Sequence, residues 1–245
     1  MKRFTSLFTL CLVAFPLFYS CNTNYGKSIK GNHQIVNEKI AIGDYDGIAL
    51  SLPAEVIYRQ ISQEEPFLQV SVDENLLQSL DISVHHRRLF IRSKDNFNLR
   101  PSRFVVYTNS RSLSKVAIAG AGDVFLEKAV NTQNMEVSIA GSGNFKTDSL
   151  YCETLDAEIA GSGHIHLKGA ATHAKYTIAG SGNIQAFDCL VENLKCQISG
   201  SGNIRAYVDK KLNARIAGSG DIRYKGNPEL ADKKVSGSGN ISKAE

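Results

Sequence analysis

The sequence predicts an all-β solenoid, and three observations carry the prediction. A phrase close to Ile-Ala-Gly-Ser-Gly-Asn-Ile recurs seven times, its first glycine at Gly120, Gly141, Gly161, Gly180, Gly200, Gly218 and Gly237. The steps between copies are 21, 20, 19, 20, 18 and 19 residues, a near-fixed period that marks one coil per repeat. Apolar and polar residues alternate on both sides of each glycine pair, the pattern of half-buried strands.

Positions counted from the first glycine of each copy show how one coil is built. Two residues before it stand Ile118, Ile139, Ile159, Ile178, Ile198, Ile216 and Val235; four after it stand Val124, Phe145, Ile165, Ile184, Ile204, Ile222 and Ile241. Polar residues separate these apolar columns, so each coil holds at least two strands meeting at a Gly-x-Gly corner. A sharp corner calls for positive φ, which glycine adopts without a steric penalty, and the following Asn144, Asn183, Asn203 and Asn240 also tolerate left-handed backbone. One coil cannot bury its own apolar face. Stacked coils, about 4.8 Å apart, share a continuous core and place the corner Ser and Asn side chains in ladders.

The repeated phrase carries no nucleotide chemistry. No copy continues into Gly-Lys-Ser or Gly-Lys-Thr, and the third glycine of the dinucleotide fingerprint is missing. Calcium-binding nonapeptide repeats have half the period and begin Gly-Gly. Here only Asp123 and Asp221 put an acid in the asparagine slot.

In chain order, Lys2 and Arg3 precede the apolar run Phe4 to Tyr19, which reads as a signal peptide over residues 1–20. Ser20-Cys21 at its end fits a lipobox with Phe18 in place of the usual leucine, so Cys21 is expected to be lipidated and to anchor the chain to a membrane. The alternative is an ordinary signal peptide with an incidental cysteine. Residues 21–40 read as the lipidated cysteine and a flexible tether. Residues 41–245 read as one β-helix domain, with an N-terminal cap and opening coils over 41–115 and the seven repeats over 116–245. A small separate β domain is the alternative for 41–115. There Ile48, Leu50 and Leu52 alternate, as do Leu68, Val70 and Val72, and Pro53, Pro66 and Pro101 mark breaks.

Cys11 leaves with the signal, which leaves Cys152, Cys189 and Cys196 beside Cys21. An odd number does not make a full disulfide framework, although two of the three could pair. No Cys-x-x-Cys spacing points to zinc, and His85, His86 and His173 have no partner at metal-ligand spacing, so no metal and no cofactor is expected. Of the 28 Lys and Arg residues, Lys2 and Arg3 belong to the leader, so the rest exceed the 24 acids by only two. That balance gives no reason to expect nucleic acid.

The stretches Asp44-Tyr45-Asp46-Gly47-Ile48 and Val70-Ser71-Val72-Asp73-Glu74-Asn75-Leu76-Leu77, followed by repeated Ile-Ala-Gly-Ser-Gly-Asn, resemble the auto-transporter adhesin head (GIN) domain family, common in lipoproteins and secreted proteins of Bacteroidetes. The resemblance covers residue 40 to the end. It implies a right-handed parallel β-helix shaped like pectate lyases but without their catalytic residues, and a non-enzymatic adhesin. It carries no site residues onto this sequence. Surface-displayed lipoproteins of that phylum often bear an acidic tag after the cysteine. Asn22 to Lys27 has no acid, which favours an outer-membrane lipoprotein facing the periplasm.

Two columns are candidates for function. Glu136 and Asp156 share a register on adjacent coils, with Glu158 on the same face, a cluster that could serve acid-base cleavage of a glycan or simply be solvated charge. Five residues after the first glycine stand Lys146, His166, Gln185, Arg205 and Arg223, with Phe187 and Tyr207 two residues further on. A basic stripe beside aromatics suits an acidic glycan or a protein partner. A second copy of the chain, in an envelope scaffold, is the structural alternative.

Overall fold

The computed structural model describes residues 27–245; the expected signal peptide and Cys21 lie outside the described residues. The first nine strands are β1 (Ser28–Lys30), β2 (Ile35–Ala41), β3 (Gly47–Leu50), β4 (Glu55–Gln60), β5 (Phe67–Asp73), β6 (Leu80–His85), β7 (Arg88–Ser93), β8 (Asn98–Arg100) and β9 (Phe104–Ser110); α1 (Glu74–Leu77) is a single helical turn after β5. Two of these strands belong to a coil. β3 lies parallel to β7, Ile48 beside Leu89, and β4 lies parallel to β9, Val56 beside Val106.

Antiparallel pairings among β2, β5, β6, β7 and β9 close the end of the core, while β1 lies parallel to β8. β6 and β7 form a hairpin whose two turn residues, His86 and Arg87, have φ of 49° and 59°. So short a loop joins antiparallel strands; a parallel pair needs a long crossover. β5 runs antiparallel to both β9 and β2, and buries Leu68, Val70 and Val72 completely.

The tether expected over residues 21–40 is corrected for its described part. β1 pairs with β8, and β2 pairs with β5 from Ile35 opposite Asp73 to Ala41 opposite Phe67. The polar composition of this stretch hid two apolar anchors, Ile29 and Ile40, which pack against the core.

The repeats then wind as β10 (Lys115–Gly120), β11 (Asp123–Asn131), β12 (Asn134–Gly141), β13 (Asn144–Gly161), β14 (His164–Gly180), β15 (Asn183–Gly200), β16 (Asn203–Gly218), β17 (Asp221–Lys225), β18 (Glu229–Ser236) and β19 (Asn240–Lys243). The result is a β-solenoid of coils of about 20 residues. First glycine stacks on first glycine from Gly120 to Gly218, and every pairing between coils is parallel. Breaks in pairing divide a coil such as Asn144–Gly161 into three segments: Asn144–Lys146, Leu150–Cys152 and Thr154–Gly161. These form the first, second and third sides of the rod. The coil's apolar columns are buried, Ile139, Ile159, Ile178 and Ile198 being at most 1% exposed. The column ends open at the C-terminus, where Val235 is 42% exposed against 3% for Ile216 above it. Lys233 stands there beneath Ala214.

The two glycines of a corner have different duties. The first has φ between 104° and 136° in all seven copies; the second is absent from the positive-φ residues, as are Asn144, Asn183, Asn203 and Asn240. The asparagines therefore open the next strand rather than complete the turn. What excludes a side chain from the second glycine is the coil before it: a Cβ on Gly163 would lie 2.5 Å from the carbonyl oxygen of Gly143. The backbones approach so closely because the N–H groups of Ser162 and Gly163 both donate to the carbonyl of Gly141, at 2.9 and 3.1 Å.

The expected side-chain ladder is present beside the corners. Asn203 Nδ2 donates to Asn183 Oδ1 at 3.0 Å, Asn183 Nδ2 lies 3.2 Å from His164 Nδ1, and Asn144 Nδ2 donates to Asp123 Oδ1 at 2.7 Å. Asp221 N–H and Asn240 N–H extend it by donating to the side chains of Asn203 and Asp221.

Cys152, Cys189 and Cys196 are all unpaired. Burial pushes the thiol of Cys152 up to about 12 and that of Cys189 up to about 11. Thiolate is the reactive form, so these groups are inert near neutrality. Iodoacetamide at mildly alkaline pH should leave all three unmodified in the native protein and modify all three after denaturation, as counted by mass spectrometry. Rapid native labelling of Cys189 or Cys196 would contradict the packing described.

Candidate functional site

The first side of the rod carries the basic column in unbroken register. Phe125 neighbours Lys146, Lys146 neighbours His166, His166 neighbours Gln185, Gln185 neighbours Arg205, and Arg205 neighbours Arg223, each one coil apart. Lys146, Arg205 and Arg223 are exposed, and none takes part in an ion pair among the described residues. Like charges in directly opposed positions repel, so Arg205 over Arg223 is an arrangement that a bound anion would relieve. A concavity of about 140 Å³ adjoins them, lined also by Asn183, Gln185, Asn203 and Asp221. Lys146 Nζ sits 5.4 Å from the centre of the Phe125 ring, a cation–π distance.

The aromatic pair expected beside this column is split. Tyr207 neighbours Leu190, not Phe187. Phe187, Asp188 and Cys189 bulge between the paired residues Ala186 and Leu190, whereas Ala206 and Tyr207 follow each other without interruption. The coil beginning at Gly180 has 20 residues and the next has 18, so the same count from the glycine falls on different sides of the rod. Phe187 is nonetheless covered by a cation, with Lys225 Nζ 4.9 Å from its ring centre.

The shift creates a ladder that the glycine count missed. On the second side Tyr151, Ala170, Leu190, Tyr207 and Lys225 are successive neighbours. Tyr151, Leu190 and Tyr207 are 47%, 42% and 40% exposed, an apolar strip next to the basic one.

The carboxylates of the third side are placed differently from a catalytic pair. Glu136 and Asp156 do neighbour each other, but Lys115 Nζ donates to Glu136 at 2.6 Å and Lys175 Nζ lies 3.4 Å from Asp156. Glu158 stands two residues along, between Ser138 and Thr177. Glu136 and Asp156 are thus each paired with a lysine of a neighbouring coil rather than with each other. His85 and His86 sit at the β6–β7 hairpin and His173 on the third side, and no group of three His, Cys, Asp or Glu residues could hold a metal among the described residues.

Residues 44–228 match the family model described as "Putative auto-transporter adhesin, head GIN domain". The chain belongs to this family. Among solved structures, a "putative lipid binding protein" from Parabacteroides distasonis is 33% identical over 89% of this chain and 100% of its own, with a TM-score of 0.77. A "putative adhesin" from Parabacteroides merdae is 30% identical over 90% of this chain and 100% of its own, with a TM-score of 0.69. A "putative adhesin" from Bacteroides fragilis has a TM-score of 0.84 over 88% of this chain and 100% of its own; at 24% identity it speaks for the fold. No curated protein matches the chain. The matched GIN region includes the whole basic column and the whole apolar ladder, and ends just before β18.

Proposed function

We propose that this GIN-domain chain is a non-enzymatic cell-envelope adhesin, anchored through Cys21 to the outer membrane with its rod toward the periplasm, and that it holds an extended acidic glycan along its first side. The observation that carries the reading is the row of Lys146, Arg205 and Arg223, aligned by the coils and without ion-pair partners among the described residues. Partnerless charge in register costs stability, and a ligand that supplies the counter-charge would offset that cost. His166 and Gln185 lie within the row and offer hydrogen bonds to hydroxyls, while Tyr207 and Phe187 border it. A relative's description as an adhesin is in keeping with this use of the rod.

The test is titration of oligogalacturonate, as a representative acidic glycan, into the purified protein. Affinity should fall steeply with added salt, and Arg205→Glu with Tyr207→Ala should weaken it by about tenfold or more, about 1.4 kcal/mol. Binding that ignores salt, or an unaffected double variant, would refute the reading. Protease treatment of intact cells tests the membrane side: protection until lysis supports the periplasmic placement. The exposed Tyr151, Leu190 and Tyr207 favour a second reading, an anionic lipid surface, in keeping with the lipid-binding description of the Parabacteroides distasonis relative. Co-sedimentation with phosphatidylglycerol vesicles, lost on Leu190→Asp, would select it.

A further inference from the structure

We infer that the third side carries a separate binding groove for an uncharged glycan. The groove is a concavity of about 590 Å³ that crosses successive coils where the second side turns into the third. Its floor is the strand backbone at Met135, Leu155 and Ala174, whose side chains are buried in one register in the core beneath it. Asn134, Thr154 and His173 form one wall, each directly before a floor residue. Glu136, Asp156 and Lys175, directly after the floor residues, form the other together with Lys115, which follows Ser114.

The charges of that second wall cancel. Lys115 is bonded to Glu136 and Lys175 approaches Asp156, two positive and two negative groups in consecutive coils. Such a wall has no net charge to attract an ion, in contrast to the row containing Arg205. It does have hydrogen-bonding capacity in both directions. Asp156 can accept through Oδ2, whose one hydrogen-bond contact is the 3.4 Å approach of Lys175. Asn134 accepts from Thr154 through its Oδ1, which leaves its amide N–H groups free to donate. Sugar hydroxyls both donate and accept, which suits walls that offer donors and acceptors together.

Spacing adds to the chemistry. The same side-chain positions recur at each coil, about 4.8 Å apart, close to the rise per residue of an extended β-linked pyranose chain. A glycan lying along the rod axis would meet an equivalent set of groups at each sugar. From Lys115 to Lys175 is three coil steps, roughly 14 Å, room for a few residues of such a chain.

The experiment is isothermal titration of the native protein with neutral hexasaccharides of β-1,4-glucose, β-1,3-glucose and β-1,4-N-acetylglucosamine, with amide shifts followed by NMR. At least one should bind at millimolar concentration or below, with little dependence on salt, and shift the amides of residues 134–136, 154–156 and 173–175. Asn134→Ala with His173→Ala, both at exposed positions, should weaken it about tenfold, the equivalent of one or two lost hydrogen bonds. Arg205→Glu, on another side of the rod, should leave it unchanged. The inference is overturned if none of the three binds, or if the Asn134→Ala, His173→Ala protein binds as well as the native one. It is also overturned if Arg205→Glu abolishes the binding, which would assign the neutral sugar to the acidic-glycan surface.

Discussion

Asp73→Asn should lower the thermal unfolding midpoint at neutral pH by on the order of 10 °C, the equivalent of two or three charge-assisted hydrogen bonds in a domain of this size. Asp73 is fully buried at the end of β5 and takes part in no ion pair among the described residues. Its charge is held by donors alone. The N–H of His33 and the hydroxyl of Ser102 reach Oδ1, and the N–H of Ser102 reaches Oδ2, all at 2.7 Å. The carboxylate thereby ties together the turn between β1 and β2, the end of β5 and the turn between β8 and β9. Gly31 passes so close that a Cβ there would lie 2.3 Å from the Asp73 carboxyl carbon. An asparagine would turn an N–H group toward the Ser102 N–H, leaving two donors face to face in a buried site.

The pH dependence separates this account from a mere packing defect. Burial alone would raise the Asp73 carboxyl. The hydrogen bonds from Ser102, His33 and Arg103 outweigh it and hold the group below the ordinary carboxylate range. A depressed value in the folded state means that the stabilisation is fully present above the unfolded value of about 3.9 and is lost as pH falls through the folded value. The gap between native and Asp73→Asn midpoints should therefore be widest at neutral pH and close in acid. A gap that stays constant down to strongly acidic pH would mean that the charge does not matter there.

Asp73 also shows what the sequence conceals. The coils were legible because their information is local and repeated: Ile159 and Ile178 occupy the same slot 19 residues apart, and stacking follows from that. The basic column was legible for the same reason, since Lys146 to Arg223 lie close after the corner, before any length difference has accumulated. Past the bulge the count fails. Leu190 and Tyr207 lie ten and seven residues after their glycines and are neighbours because Phe187, Asp188 and Cys189 bulge out of the first coil; the second coil recovers one residue between Val208 and Lys211, which leaves the two-residue difference in length. Summing coil lengths announces that a slip exists but not where along the coil it falls. The N-terminal cap was least legible, because its antiparallel strands pair across long separations and its pin, Asp73, joins His33 to Ser102 with no spacing rule to announce it.

Three glycine-to-alanine substitutions should divide the cost of a corner into its parts. At Gly120 the backbone has φ of 104°, yet nothing lies within 4 Å of an added Cβ. Gly120→Ala should therefore show backbone strain alone, about 1–2 kcal/mol. At Gly182 the conformation admits a side chain, but its Cβ would lie 2.6 Å from the Gly163 carbonyl oxygen and 2.7 Å from Ile159 Cγ2. Gly182→Ala should show overpacking alone, about 1–3 kcal/mol. Gly180 combines the two, with φ of 130° and a Cβ 2.4 Å from the Gly161 carbonyl. Gly180→Ala should cost roughly 3–5 kcal/mol, lowering the melting midpoint by on the order of 10 °C. Circular dichroism melts of the three variants suffice. Equal midpoints for Gly120→Ala and Gly180→Ala would show that contact between coils adds nothing to the glycine requirement. The expected order has a functional consequence. The carbonyl that a Gly180 side chain would displace is the one to which Ser181 and Gly182 donate, at 2.9 and 3.1 Å, and those bonds set the spacing of the coils that carry His166 and Gln185. A ligand that spans the basic column needs that spacing constant, so corner substitutions should weaken oligogalacturonate binding at temperatures where the chain is still folded.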